Sequence, residues 1–83
     1  MDKRLSTLKL LADSTRLKII DFLRDGERCA CEIVAYTKKS QPNVSLHLKK
    51  LEENGILEFR KDGTKVMYKI KDKSVLRILN LLE

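Results

Sequence analysis

The stretch Ser40-Gln41-Pro42-Asn43-Val44-Ser45-Leu46-His47-Leu48-Lys49-Lys50-Leu51 decides the fold. It reads as one helix with an apolar side and a basic, hydrogen-bonding side. Ser40 or Gln41 opens it, and Pro42 suits the first turn, where a missing N–H costs nothing. Asn54-Gly55 ends it, because Gly tolerates a left-handed cap. At about 100° per residue, Val44, Leu48 and Leu51 fall within roughly 60° of one another and pack inward. Asn43, Leu46 and Lys50 fall on the opposite side, flanked by Ser45, His47 and Lys49. Such a face suits the major groove of DNA: amides and hydroxyls bond base edges, lysines meet phosphates, and an apolar tip touches a thymine methyl. Gln41, Asn43, Ser45 and Leu46 are the base-edge candidates. Ser40 stands at the helix start among them. His47, at the border of the apolar stripe, reads either as a packed side chain or as a DNA contact.

Working outward, Lys38-Lys39 form the turn into this helix. Before it, a short helix is expected from about Ala30 to Thr37, and Glu27 to Cys29 is extended or a short edge strand. A broad apolar arc of Leu17, Ile19, Ile20, Phe22 and Leu23, capped by Asp13 or Ser14, predicts a central buried helix. Leu5, Leu8, Leu11 and Ala12 set a helical stripe over residues 3–12, with Leu10 off it. After Gly55, residues 56–60 and 65–70 read as strands, with Lys61-Asp62-Gly63-Thr64 as the hairpin turn. Asp72 or Ser74 caps a last helix carrying Val75, Leu76, Ile78, Leu79 and Leu82. The order ααααββα, mainly α with a small β-hairpin, makes one winged helix-turn-helix domain over residues 1–83. The outer helices, about 3–12 and 74–82, hold more apolar surface than so small a core absorbs, and a self-complementary two-fold contact is its natural use.

The net charge is +6, and residues 38–73 supply +5 of it, from ten basic and five acidic side chains. A polyanionic partner is the simple inference. Lys38, Lys39, Lys49 and Lys50 are expected at phosphates, with Arg60, Lys61 and Lys65 of the hairpin; their effect would be sequence-independent and salt-sensitive. No apolar run approaches the roughly 20 residues that span a bilayer. The first residues do not form a signal-peptide core, so a cytoplasmic protein without a membrane partner is expected. No nucleophile is paired with a base and no Gly-rich phosphate loop is present, which excludes the common enzyme classes. A protein-interaction winged helix is a competing class, disfavoured by the outward Asn-Ser-Leu-Lys face. A thiol oxidoreductase would normally have Cys-x-x-Cys spacing. No cofactor is needed for folding.

Several stretches, in this order, resemble the ArsR/SmtB family: residues 11–17 (Leu-Ala-Asp-Ser-Thr-Arg-Leu), Cys29-Ala30-Cys31-Glu32-Ile33, Ser40-Gln41 through Ser45-Leu46-His47-Leu48, residues 51–57, and residues 60–65 followed by Tyr68. The resemblance runs over nearly the whole chain. It implies a homodimeric winged-helix repressor that leaves its double-stranded DNA operator when a metal ion or metalloid binds. It also favours DNA contact for His47. Arg16 matches the family pattern but reads equally as a structural residue pairing with an acid.

Cys29 and Cys31 carry the sharpest expectation. Two cysteines make no secreted-type disulfide framework, and a spacing of one residue is too tight for an easy intrachain bridge, so reduced thiols are expected. Near a helix start and beside Arg28, thiolates are favoured. They suit As(III) or Sb(III), or Cd(II), Pb(II) or Zn(II), as inducers. Residues two apart in a regular helix point about 200° apart, so joint ligation needs a non-helical or distorted first turn. Arsenic-sensing members of the family usually continue Cys-x-Cys-x-x-Cys, and Val34 stands at the third position here. A two-thiolate site completed by water, a small thiol or a partner-subunit group remains open. So does control by cysteine oxidation, or by no small ligand. The family's other site, on the last helix, needs His, which residues 72–83 lack.

Overall fold

The structure is a computed structural model that describes residues 2–82; Met1 and Glu83, and the side chains of Lys3 and Leu82, lie outside the described residues. Five helices and three strands follow in the order α1 (Lys3–Leu11), α2 (Ser14–Phe22), β1 (Arg28–Cys29), α3 (Ala30–Thr37), α4 (Gln41–Glu53), β2 (Leu57–Asp62), β3 (Lys65–Ile70) and α5 (Ser74–Leu82). A 3-10 turn, Leu23–Asp25, prolongs α2 until Gly26, at φ +141°, breaks it.

Local chemistry sets each boundary. Asp2 and Asp13 cap α1 and α2, each carboxylate accepting a backbone N–H from the first turn. Ser40 Oγ caps α4 by accepting from the Asn43 N–H at 3.3 Å, with Pro42 in the first turn. The other end of α4 is a Schellman closure. Gly55, at φ +75°, donates to the Glu52 carbonyl, and Ile56 donates to the Leu51 carbonyl, both at 3.0 Å. Ile56 and Leu51 are both buried, the apolar contact that accompanies this motif.

The core gathers Ile19, Ile20 and Leu23 of the α2 region, Ile33, then Val44, Leu48 and Leu51 of α4, and Leu57, Ile70, Val75 and Leu79. The inward stripe of α4 is thus as the helical period requires. On α1 the expectation is modified. Only Leu11 of the stripe is buried, Leu10 is half-buried instead of lying outside, and Ala12 is exposed. Leu5 and Leu8 stand 47% and 52% exposed, and Leu81 of α5 84%.

Two expectations about the strands are corrected. The hairpin strands run to Asp62 and from Lys65, which pair with each other, so the turn holds two residues, Gly63 and Thr64, in place of four. Gly63, at φ +63°, occupies the first of these, where a two-residue hairpin demands positive φ. The hairpin is also not two-stranded in isolation: β1 joins β3 antiparallel, with Arg28 opposite Tyr68 and Cys29 opposite Met67. The sheet order is β1-β3-β2. Along β3, Met67 is half-buried like Val66 and Tyr68. The stretch Glu27 to Cys29, expected as extended chain or a short edge strand, supplies that edge strand with its last two residues.

Candidate nucleic-acid interface

The polar side of α4 is exposed as a row: Gln41, Asn43, Ser45, Leu46, Lys49 and Lys50 all face solvent. Leu46 is 58% exposed in the middle of a helix whose other leucines are buried. Lys38 and Lys39 stand exposed at the corner that leads into α4. That corner is made by Lys38 in the left-handed region, φ 59°, donating its N–H to the Val34 carbonyl at 3.1 Å. Lys61 and Lys65 are exposed at the hairpin tip. None of these six lysines has an ion-pair partner among the described residues.

Of the residues expected at this surface, Arg60 and Ser40 also make contacts within the fold, and His47 is turned partly inward. The Arg60 guanidinium is turned to Glu27, donating through Nε at 2.9 Å and through a terminal nitrogen at 2.7 Å. This pair links the hairpin to the loop before β1. Hydrogen bonding to Arg60 holds the Glu27 carboxyl below its ordinary range, and the same bonds raise Arg60. Ser40 uses its hydroxyl oxygen as the cap of α4. His47 is half-buried, and its Nδ1 is closed to solvent with no hydrogen-bond partner among the described residues. It lies near Asp13, whose carboxyl is lowered chiefly by the Arg16 N–H bond, with further help from His47 and Arg16 against a burial that raises it. Arg16 is structural: its backbone N–H donates to Asp13 Oδ1 at 3.0 Å, and its guanidinium is 3.9 Å from Oδ2.

The cysteines depart most from expectation. Their sulfurs are bonded to each other, with Cα atoms 5.2 Å apart. The geometry explains why the tight spacing does not forbid this. Cys29 has extended backbone, φ −67° and ψ 145°, and serves as N-cap of α3, while Cys31 lies inside the first turn. The pair therefore straddles a helix boundary, and its side chains do not diverge as they would inside a helix. Cys29 Sγ accepts the Cys31 N–H at 3.1 Å, and Glu32 Oε1 accepts the Cys29 N–H at 3.1 Å. This is a capping box with sulfur in the place of the usual hydroxyl. Cys29 is buried, Cys31 exposed.

A cleft of about 390 Å³ brings the two features together. Both cysteines line it from one side, Gln41 and Ser45 from α4, and Thr64 and Lys65 from the hairpin tip. That the cysteines and the exposed helix face share one cleft, and that Glu27 holds Arg60, has no signal in the sequence. Among the described residues no group of three or more His, Cys, Asp or Glu could hold a metal ion. No helix among them is long and apolar enough to cross a membrane.

Residues 13–58 match the family described as bacterial regulatory protein, arsR family. The arsenical resistance operon repressor of Staphylococcus aureus is 48% identical over 69 residues, covering 82% of this chain and 66% of that protein. The cadmium resistance regulatory protein CadC of Listeria innocua is 40% identical over 76 residues, 90% of this chain and 61% of that one. The chain thus spans just under two thirds of the length of such relatives. Among solved structures, the homodimeric winged helix-turn-helix DNA-binding domain of a Mycobacterium bovis regulator superposes with a TM-score of 0.78. Its sequence is 31% identical, and the match covers 99% of this chain and 82% of that one.

Proposed function

Because this chain belongs to the ArsR family of bacterial regulatory proteins, we propose that it is a homodimeric, cytoplasmic transcriptional repressor, with no catalytic role, that grips an operator with α4 and the β2–β3 wing. The observation that carries this reading is the exposed row on α4, flanked by six lysines without ion-pair partners among the described residues. Gln41, Asn43, Ser45 and Leu46 read base edges. Lys38, Lys39, Lys49, Lys50, Lys61 and Lys65 neutralise phosphates. Ser40, His47 and Arg60 position the elements that bear these contacts, through the cap, the Asp13 neighbourhood and the Glu27 pair. The homodimer forms through the exposed leucines of α1 and α5, an assembly supported by the homodimeric Mycobacterium bovis neighbour.

Cys29 and Cys31 are the sensing pair, and occupation of their sulfurs by a thiophilic ligand releases the operator. The arsenical and cadmium resistance roles named for the two relatives support this reading. The sulfur–sulfur bond favours a second reading, in which oxidation of the pair is itself the signal. Operator affinity of the oxidised and reduced protein, measured side by side, separates the two.

The DNA-binding reading is tested by a salt titration. Lys49→Ala with Lys50→Ala should weaken binding to every duplex. It should also flatten the slope of log K against log salt by about 2 per protomer, and so about 4 for the homodimer, since each phosphate contact contributes roughly 0.9. An unchanged slope would remove both lysines from the phosphate backbone.

A further inference from the structure

The six lysines of the proposed DNA-facing surface have no ion-pair partner among the described residues, whereas Arg60, on the wing with Lys61 and Lys65, is held. Its guanidinium meets the Glu27 carboxylate twice, donating through Nε at 2.9 Å and through a terminal nitrogen at 2.7 Å. A planar guanidinium fits a carboxylate and a phosphate by the same two-pronged geometry, so Glu27 occupies the place a phosphate would take. The pair lies at the surface: the Arg60 side chain is 56% exposed and that of Glu27 25%. Exposed pairs are held weakly, and a duplex phosphate brings with it the field of the whole polyanion. A hollow of about 180 Å³ borders the pair, lined also by Glu58, Phe59 and Lys69. An incoming anion thus finds open space beside Arg60 and a second cation in Lys69, which pairs with Glu58 at 3.3 Å. The other acid near Arg60 is Asp62, whose carboxylate is 4.0 Å away and makes no such double bond.

We propose that Glu27 is an internal stand-in for DNA phosphate: it holds Arg60 in the free chain and yields it to the duplex backbone when the operator is bound. The inference rests on the regulator reading above and gives the wing a further phosphate contact, set against an acid that lowers its worth. In the free chain Arg60 braces the wing against the loop before β1. On the operator the guanidinium keeps its charge and trades one anion for another, and no covalent bond changes. A phosphate contact carries no base sequence. The competition therefore weakens binding to every duplex by one common factor and leaves discrimination among sequences untouched. Glu27 in this way sets the overall grip, while the α4 face sets the choice of site.

The test is a double-variant cycle on the full chain, with the sulfur pair kept in one state throughout. Binding is read across a salt series on a labelled duplex from the chain's own promoter region and on random duplex of equal length. Glu27→Gln should tighten binding to both duplexes roughly threefold per protomer, and so about tenfold for the homodimer, with their ratio unchanged. Arg60→Ala should flatten the slope of log K against log salt by about 0.9 per protomer. In the Arg60→Ala background, Glu27→Gln should lose most of its gain. An equal gain without Arg60 would reduce Glu27 to a distant negative charge and overturn the assignment, as would the absence of any gain. A second readout needs no variant to fold. In the unmodified chain the magnetic resonance signal of the Arg60 Nε–H should move as duplex saturates the protein, and should couple to a duplex phosphorus. A signal that stays where it was would leave Arg60 on Glu27 and overturn the exchange. A chain that binds neither duplex refutes the regulator reading and the exchange with it; one that binds duplex while Arg60 stays on Glu27 refutes the exchange alone.

Discussion

Gln41 and Ser45 lie about one turn apart on the solvent side of α4, and both border the cleft beside the cysteines. An amide and a hydroxyl at this spacing can reach neighbouring base edges, whereas lysines at the same positions would report only charge. Gln41→Ala or Ser45→Ala should therefore cost about 1–3 kcal/mol on the operator and leave affinity for random duplex unchanged, as read by competition binding. Equal loss on both duplexes would take base reading away from these residues. The inward or outward assignment of each α4 side chain was legible because it depends only on the helical period. The roles of His47 and Arg60 were not. One depends on how closely the start of α2 approaches α4, and the other on a partner 33 residues away in sequence. Neither neighbourhood carries a local mark of the pairing.

At the scale of elements, the ends of α4 fix how it is presented. Gly55 closes it with positive φ, and nothing lies within 4 Å of where a Cβ would stand. Gly55→Ala should thus act through backbone strain alone, lowering stability by about 1–2 kcal/mol, read as a urea midpoint shift at unchanged m-value. The wing is set by a different device, the Glu27–Arg60 pair. The Glu27 carboxyl is held low by Arg60. Its contribution to stability is therefore fully present above the ordinary glutamate range and is lost as pH falls through the lowered value. Unfolding midpoints of the protein and of Glu27→Gln should differ at neutral pH and converge in acid; a pH-independent difference would mean the charge plays no part. Helix ends were readable because caps are local chemistry. The strand β1 was only half readable, since two residues become a strand through their partner, not through their own pattern.

For the whole molecule, the decisive quantity is apolar area left uncovered. Leu5 and Leu8 of α1 and Leu81 of α5 are exposed while the core is closed without them. Replacing Leu5 and Leu8 together by Glu should preserve the circular dichroism of the fold, yield monomers in sedimentation velocity, and lose most operator affinity because only one half-site is engaged at a time. A monomeric variant with undiminished affinity would show that one protomer suffices. That the outer helices exceed the needs of a small core could be read from their leucines. Which leucines turn inward could not, because it depends on how α1 leans on α2.

Cys29 belongs to three structures at once: it ends the strand that tethers the wing, it starts α3, and its sulfur joins that of Cys31. A single chemical event on that atom is consequently not confined to one element. It reaches the hairpin by way of Met67 and α4 by way of α3, so that in a symmetric pair of chains one such event per chain would act at four places.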